Sequence, residues 1–118
     1  MRTVMLSSDD PKVVFGPVFV AESALDRTRG LLCRSPLRDY EGMLIMKCNC
    51  VHTVGMRYPI DIIFLRRDGK ILRITENLPP LRMTGCYKAD MVLELLAGST
   101  SKLQLTAGGN IFGFQKPT

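Results

Sequence analysis

Cys48-Asn49-Cys50-Val51-His52 is the densest run of reactive side chains in the sequence. Read as one extended strand, it puts Cys48, Cys50 and His52 on a single face, in line with Leu44, Met46 and Val54. Thiolate, thioether and imidazole are soft ligands, so this row suits Zn or Cu(I), with Cys33 or Cys86 supplying a further sulfur from elsewhere in the fold. The spacing opposes the simplest version of such a site. Side chains at i and i+2 of a straight strand stand about 6.6 Å apart, whereas two sulfurs on one tetrahedral zinc approach to about 3.7 Å. A kink near Asn49 is therefore required. The preferred alternative is that Cys48 and Cys50 are small buried apolar residues and that His52 is satisfied by a neighbouring backbone group. No Cys-x-x-Cys pair is present, so a thioredoxin-like reading has no support.

Two carboxylates stand in otherwise apolar strands. Asp61 shares its face with Ile63 and Leu65, and Glu94 shares its face with Val92 and Leu96. A buried carboxylate either takes up a proton or gains a cation or backbone donors, because desolvation penalises the bare charge. Arg57 is the nearest cation to Asp61 in sequence, and Arg29 or Arg34 could reach either acid through the fold. As chemistry, the two acids could form an acid/base pair lining a pocket. As structure, they are anchors fixing strand ends, and this reading is preferred; it predicts that Asp61→Asn and Glu94→Gln both lower thermal stability. A nucleophilic triad around His52 and Cys50 lacks the elbow that exposes a nucleophile, and no Gly-x-Ser-x-Gly, Gly-x-Gly-x-x-Gly or Walker-type loop occurs. Met43, Met46 and Met56 read as core filling.

The elements that must position these groups are short and closely punctuated. Ser7-Ser8-Asp9-Asp10-Pro11, Gly16-Pro17, Asp68-Gly69, Leu78-Pro79-Pro80 and Gly108-Gly109-Asn110 break the apolar segments in the manner of a β protein. The clearest hairpin joins Ile60–Leu65 to Lys70–Ile74 through Asp68-Gly69, a pair that tolerates the positive φ of tight turns. One helix is predicted from Ser23 to about Leu32: Ser23 caps it, Asp26 completes a Ser-x-x-Asp box, and Ala24, Leu25, Thr28, Leu31 and Leu32 share a face. A second short helix or turn follows Ala97-Gly98, although Leu103 and Leu105 fit a strand equally well. The expectation is a mainly β, small single-domain fold, barrel-like or sandwich, with one or two short helices, over residues 1–118.

Composition agrees with one globular domain, at 46% hydrophobic and 23% charged residues in a chain of 118. The net charge is +5, but Arg27, Arg29, Arg34 and Arg38 alternate with Asp26, Asp39 and Glu41, and no basic stripe with interleaved aromatics appears. That pattern argues against nucleic acid as a partner. No apolar run approaches the roughly 20 residues needed to span a bilayer. The amino terminus reaches acidic residues and proline too early for a secretory signal, so a cytoplasmic location is expected, with the four cysteines free or metal-bound.

Several segments together carry a resemblance: Arg27-Thr28-Arg29-Gly30-Leu31-Leu32-Cys33-Arg34, Glu41-Gly42-Met43-Leu44, His52, Met56, Pro59–Leu65, Asp68-Gly69-Lys70-Ile71, and Val92-Leu93-Glu94-Leu95 with Ala97-Gly98. Over about residues 13–114 the chain is similar to the small bacterial and archaeal proteins grouped as domain of unknown function 192. The resemblance implies a compact, mainly β domain and supplies no reaction. Because no recognisable reaction centre is assembled, the favoured reading is a non-catalytic binding or accessory module. Its pocket is expected near His52, Arg57, Asp61 and Glu94, with a small polar or anionic molecule, a glycan or a peptide as ligand and no cofactor. The alternative is a thiol- or metal-binding protein, Zn or Cu, using Cys48, Cys50, His52 and Cys86.

Overall fold

The computed structural model describes residues 1–29 and 37–114, the side chain of Arg29 excepted. Ten elements follow one another: β1 (Thr3–Ser7), β2 (Val14–Ala21), α1 (Ala24–Arg29), β3 (Gly42–Met46), β4 (Cys50–His52), β5 (Ile60–Leu65), β6 (Ile71–Leu78), β7 (Met83–Gly85), β8 (Met91–Leu96) and α2 (Ser99–Lys102). Six strands form a mixed sheet in the order β1-β2-β3-β8-β5-β6, and β4 pairs with β7 in a separate two-stranded sheet. All neighbours in the large sheet are antiparallel except β2 and β3, which run parallel and are joined by the crossover that contains α1.

The predicted hairpin forms as expected. Gly69, with φ of +96°, closes the turn by donating its N–H to the Arg66 carbonyl, and the Arg66 N–H donates to the Lys70 carbonyl. An added Cβ on Gly69 would collide with the Ile111 carbonyl, so this position needs glycine for space as well as for φ. The mainly β expectation is met, and its barrel-like variant has a physical counterpart. Residues 108–112 bridge the two outer strands of the sheet: Phe112 exchanges hydrogen bonds with Ser7 of β1, and Gly108 and Gly109 bond Ile71 at the start of β6.

The central strands β3, β5 and β8 are buried on both faces, so alternate residues enter two different cores. The first core gathers Phe15, Leu44, Ile63, Leu93 and Leu95 with Leu103, Leu105 and Ile111. The second gathers Met43, Ile45, Ile62, Phe64 and Val92 with Val51 of β4 and Leu37. Leu103 and Leu105 thus belong to the chain after α2 and not to a strand.

Helix α1 starts where its cap requires, with the Asp26 N–H donating to Ser23 Oγ at 3.1 Å. Its orientation differs from the sequence expectation. Ala24, Leu25 and Thr28 are exposed, and Arg27 turns partly inward. The remaining residues expected on the apolar face, Leu31 and Leu32, lie outside the described residues, as do Cys33 and Arg34.

Candidate functional site

Strand parity decides which carboxylates can meet. Ile62 pairs with Glu94 across β5 and β8, and Asp61 pairs with Leu95. Residues directly opposite each other share a face, so Glu94 lies on the face of Ile62, the second core, and Asp61 lies on the opposite face. The acid/base pair considered from the sequence is therefore not assembled: the sheet stands between the two acids.

Asp61 is fully buried and saturated by backbone donors. Its Oδ1 accepts from the Asn77 N–H at 2.8 Å, and its Oδ2 accepts from the Thr100 N–H at 3.0 Å. The first bond serves an irregularity in the β5–β6 ladder: Ile60 faces Leu78 while Ile62 faces Thr75, which leaves an extra residue on β6, and Asn77 adopts a positive φ. The second caps α2, whose own N-cap residue, Gly98, offers no side chain. Asp61 is an anchor, in agreement with the structural reading of the sequence.

Glu94 is 6% exposed, and among the described residues its carboxyl has no hydrogen bond or ion pair. Its β-sheet neighbours, Met43 and Ile62, are apolar. Burial alone pushes its pKa up to about 7. Among the described residues Arg27 Nε is likewise buried without a hydrogen-bond partner. Cys48 links them. Its side chain packs against the second core, and its half-buried thiol donates to the Cys50 carbonyl at 3.3 Å. Burial pushes that thiol up, the Glu94 charge adds to the rise, and the Arg27 charge pulls it down. Tyr58, whose hydroxyl accepts from the Leu37 N–H at 3.5 Å, packs against the same core.

The other expected residues are dispersed. The cysteine-histidine row is not one strand, because β3 ends at Met46 and Lys47 turns the chain with φ of +51°. Cys50 and His52 do share a face of β4, but that face is exposed, and His52 stands opposite Met83 of β7. Arg57 is exposed, and among the described residues it forms no ion pair with Asp61. Cys86 is partly buried against the second core. Among the described residues no three His, Cys, Asp or Glu side chains gather where they could hold a metal ion, so Cys48, Cys50, His52 and Cys86 do not converge on a common point.

Sequence reasoning passed over Arg27 as a site residue because alternating charges near it suggested a solvated face. The sequence carries no signal for it, because Leu25, which the helical period opposes to Arg27, is apolar and points to the reverse orientation.

Fold and site define a small mixed-sheet β domain with two cores, one of which faces a buried acid that has no hydrogen bond or ion pair among the described residues. The chain belongs to the domain of unknown function 192 family, described as an uncharacterised ACR, whose profile matches residues 5–112. Two solved structures share the fold. A protein of unknown function from Novosphingobium aromaticivorans is similar at 23% identity and a TM-score of 0.79, over 93% of this chain and 83% of that one. A protein from Sinorhizobium meliloti, described as a candidate transcription regulator, is similar at 24% identity and a TM-score of 0.77, over 93% and 91%. No curated protein matches the chain. Among the described residues no helix is long and apolar enough to cross a membrane.

Proposed function

We propose that the protein is a non-catalytic binding module that takes a small polar or anionic ligand on the second face of the sheet, at Glu94. The observation that carries this reading is the buried Glu94 carboxyl without a hydrogen bond among the described residues. Buried polar groups in folded proteins are paired as a rule, and the exceptions concentrate where a ligand or reaction completes the pairing. Arg27 Nε adds a second unsatisfied donor. A protonated Glu94 donates a hydrogen bond, so a ligand group rich in acceptor oxygens, such as a carboxylate, a carbonyl or a sugar hydroxyl, suits it.

The test is a thermal-shift screen of small carboxylates, monosaccharides and short peptides near pH 6, where Glu94 keeps its proton. A ligand of this site raises the melting temperature of the parent protein and fails to raise that of Glu94→Leu or Arg27→Gln. Equal shifts in all three proteins place binding elsewhere and remove Glu94 from the site.

A further inference from the structure

Where β3 leaves the sheet, three strand ends are laced through Asp90. The Cys48 N–H donates to the Asp90 carbonyl at 3.2 Å, and the Asp90 N–H donates to the Leu65 carbonyl at 2.9 Å. Asp90 Oδ2 accepts the Arg67 N–H at 2.7 Å. A cleft of about 540 Å³ lies beside the ends of β3 and β5 and the start of β8. This volume lies in the range of roughly 300–1,000 Å³ common to small-molecule sites.

The lining has two chemistries. Met46, with the largely buried Ala89 and Met91, forms the apolar part of the lining, and Lys47 and Arg67 supply cations. Among the described residues neither cation has an ion-pair partner, whereas the adjacent Arg66 is already neutralised by Asp68 through Nε–Oδ1 at 2.8 Å and Nη2–Oδ2 at 2.5 Å. Asp90 is the one carboxylate in the lining, and it is held by the Arg67 main chain. Two unpaired cations against one engaged acid favour a negative ligand, and the apolar wall favours one with a hydrocarbon body.

We infer that this cleft is a second binding site, for a small amphipathic anion that sets a carboxylate between Lys47 and Arg67 and lays a short apolar chain along Met46, Ala89 and Met91. The site does not depend on Glu94, which is absent from its lining.

Octanoate and its uncharged analogue octanamide test the assignment, with binding followed by backbone amide shifts in NMR titrations. Lys47→Asn removes one charge while keeping a residue type that tolerates the positive φ of that position. Arg67→Gln removes the other and leaves the main-chain bond to Asp90 in place. Lys12→Gln, an exposed change of the same charge outside the lining, serves as the control. Octanoate is expected to shift amides at residues 46–49 and 89–91 and to bind at least about tenfold more tightly than octanamide. Each charge removal is expected to weaken octanoate about tenfold, the loss of one charge-assisted contact, with Lys12→Gln unchanged. Equal binding of the two probes, no binding of either, shifts confined to other residues, or octanoate affinity indifferent to Lys47 and Arg67 would each overturn the inference.

Discussion

Glu94→Gln is expected to stabilise the protein above neutrality, the reverse of what an anchoring carboxylate would show. The ordinary carboxyl value is 4.5, and burial raises that of Glu94 to about 7. Between these values the unfolded chain sheds the proton while the fold retains it. The unfolded state therefore gains from every step of rising pH, and native stability falls until the folded group also ionises. Each pH unit crossed between the two values costs about 1.4 kcal/mol, so the loss accumulates to about 3 kcal/mol between about pH 4.5 and pH 7 and stays constant above. Glutamine keeps the shape of the protonated acid and cannot ionise. Near pH 4.5 the variant and parent should melt together; near pH 8 the variant should melt higher by roughly 10 °C, given the unfolding entropy of a domain this size. Calorimetric scans of both proteins across that interval measure the difference directly, and titrations common to both cancel. A variant that melts lower at pH 8, or a difference that does not change with pH, would show that the carboxylate has a favourable partner and would refute the reasoning.

Three further outcomes are expected. Asp61→Asn should lower stability by about 3 kcal/mol in denaturant unfolding, because one of the two backbone N–H groups it accepts from would face an amide donor in a buried site; an unchanged midpoint would remove its anchoring role. Thr53→Val, nearly isosteric, should cost about 2 kcal/mol and speed hydrogen exchange at Arg82, since the fully buried Thr53 hydroxyl donates to the Pro79 carbonyl at 2.7 Å and accepts from the Arg82 N–H at 2.9 Å; exchange at Arg82 unaltered by the change would contradict this. In protein purified anaerobically without chelator, Cys50 should be alkylated faster than Cys48, whose thiol is half-buried and shifted upward, with no stoichiometric zinc or copper; one equivalent of metal with protected thiols would restore the cysteine-histidine site.

Local pattern was legible where it depends on periodicity or turn chemistry. The β5–β6 hairpin follows from Asp68-Gly69 between apolar runs, the Ser23 cap from its spacing to Asp26, and the faces of Asp61 and Glu94 from counting by twos along their own strands. What counting cannot supply is how two strands are set against each other. Asp61 and Glu94 each keep the company expected of them, yet the β5–β8 register puts those companies on opposite sides of the sheet. The row from Cys48 to His52 failed for a different reason. Lys47 takes a left-handed conformation that its residue type does not advertise, and a single such turn sends the rest of the row into another sheet.

The two faces consequently carry different burdens. Asp61 enters the first core already supplied with both of its donors, and one of them caps a helix that has no side-chain cap of its own. Its burial is therefore repaid within the fold. Glu94 enters the second core with none among the described residues, and folding tolerates it by holding a proton. A leucine at position 94 would continue the apolar surface of Met43 and Ile62 without that penalty. On the proposed reading, an acid that the described fold does not use is used by a ligand that arrives later. That asymmetry, more than any single distance, is why the binding site is proposed for the Glu94 face and the structural role falls to the Asp61 face.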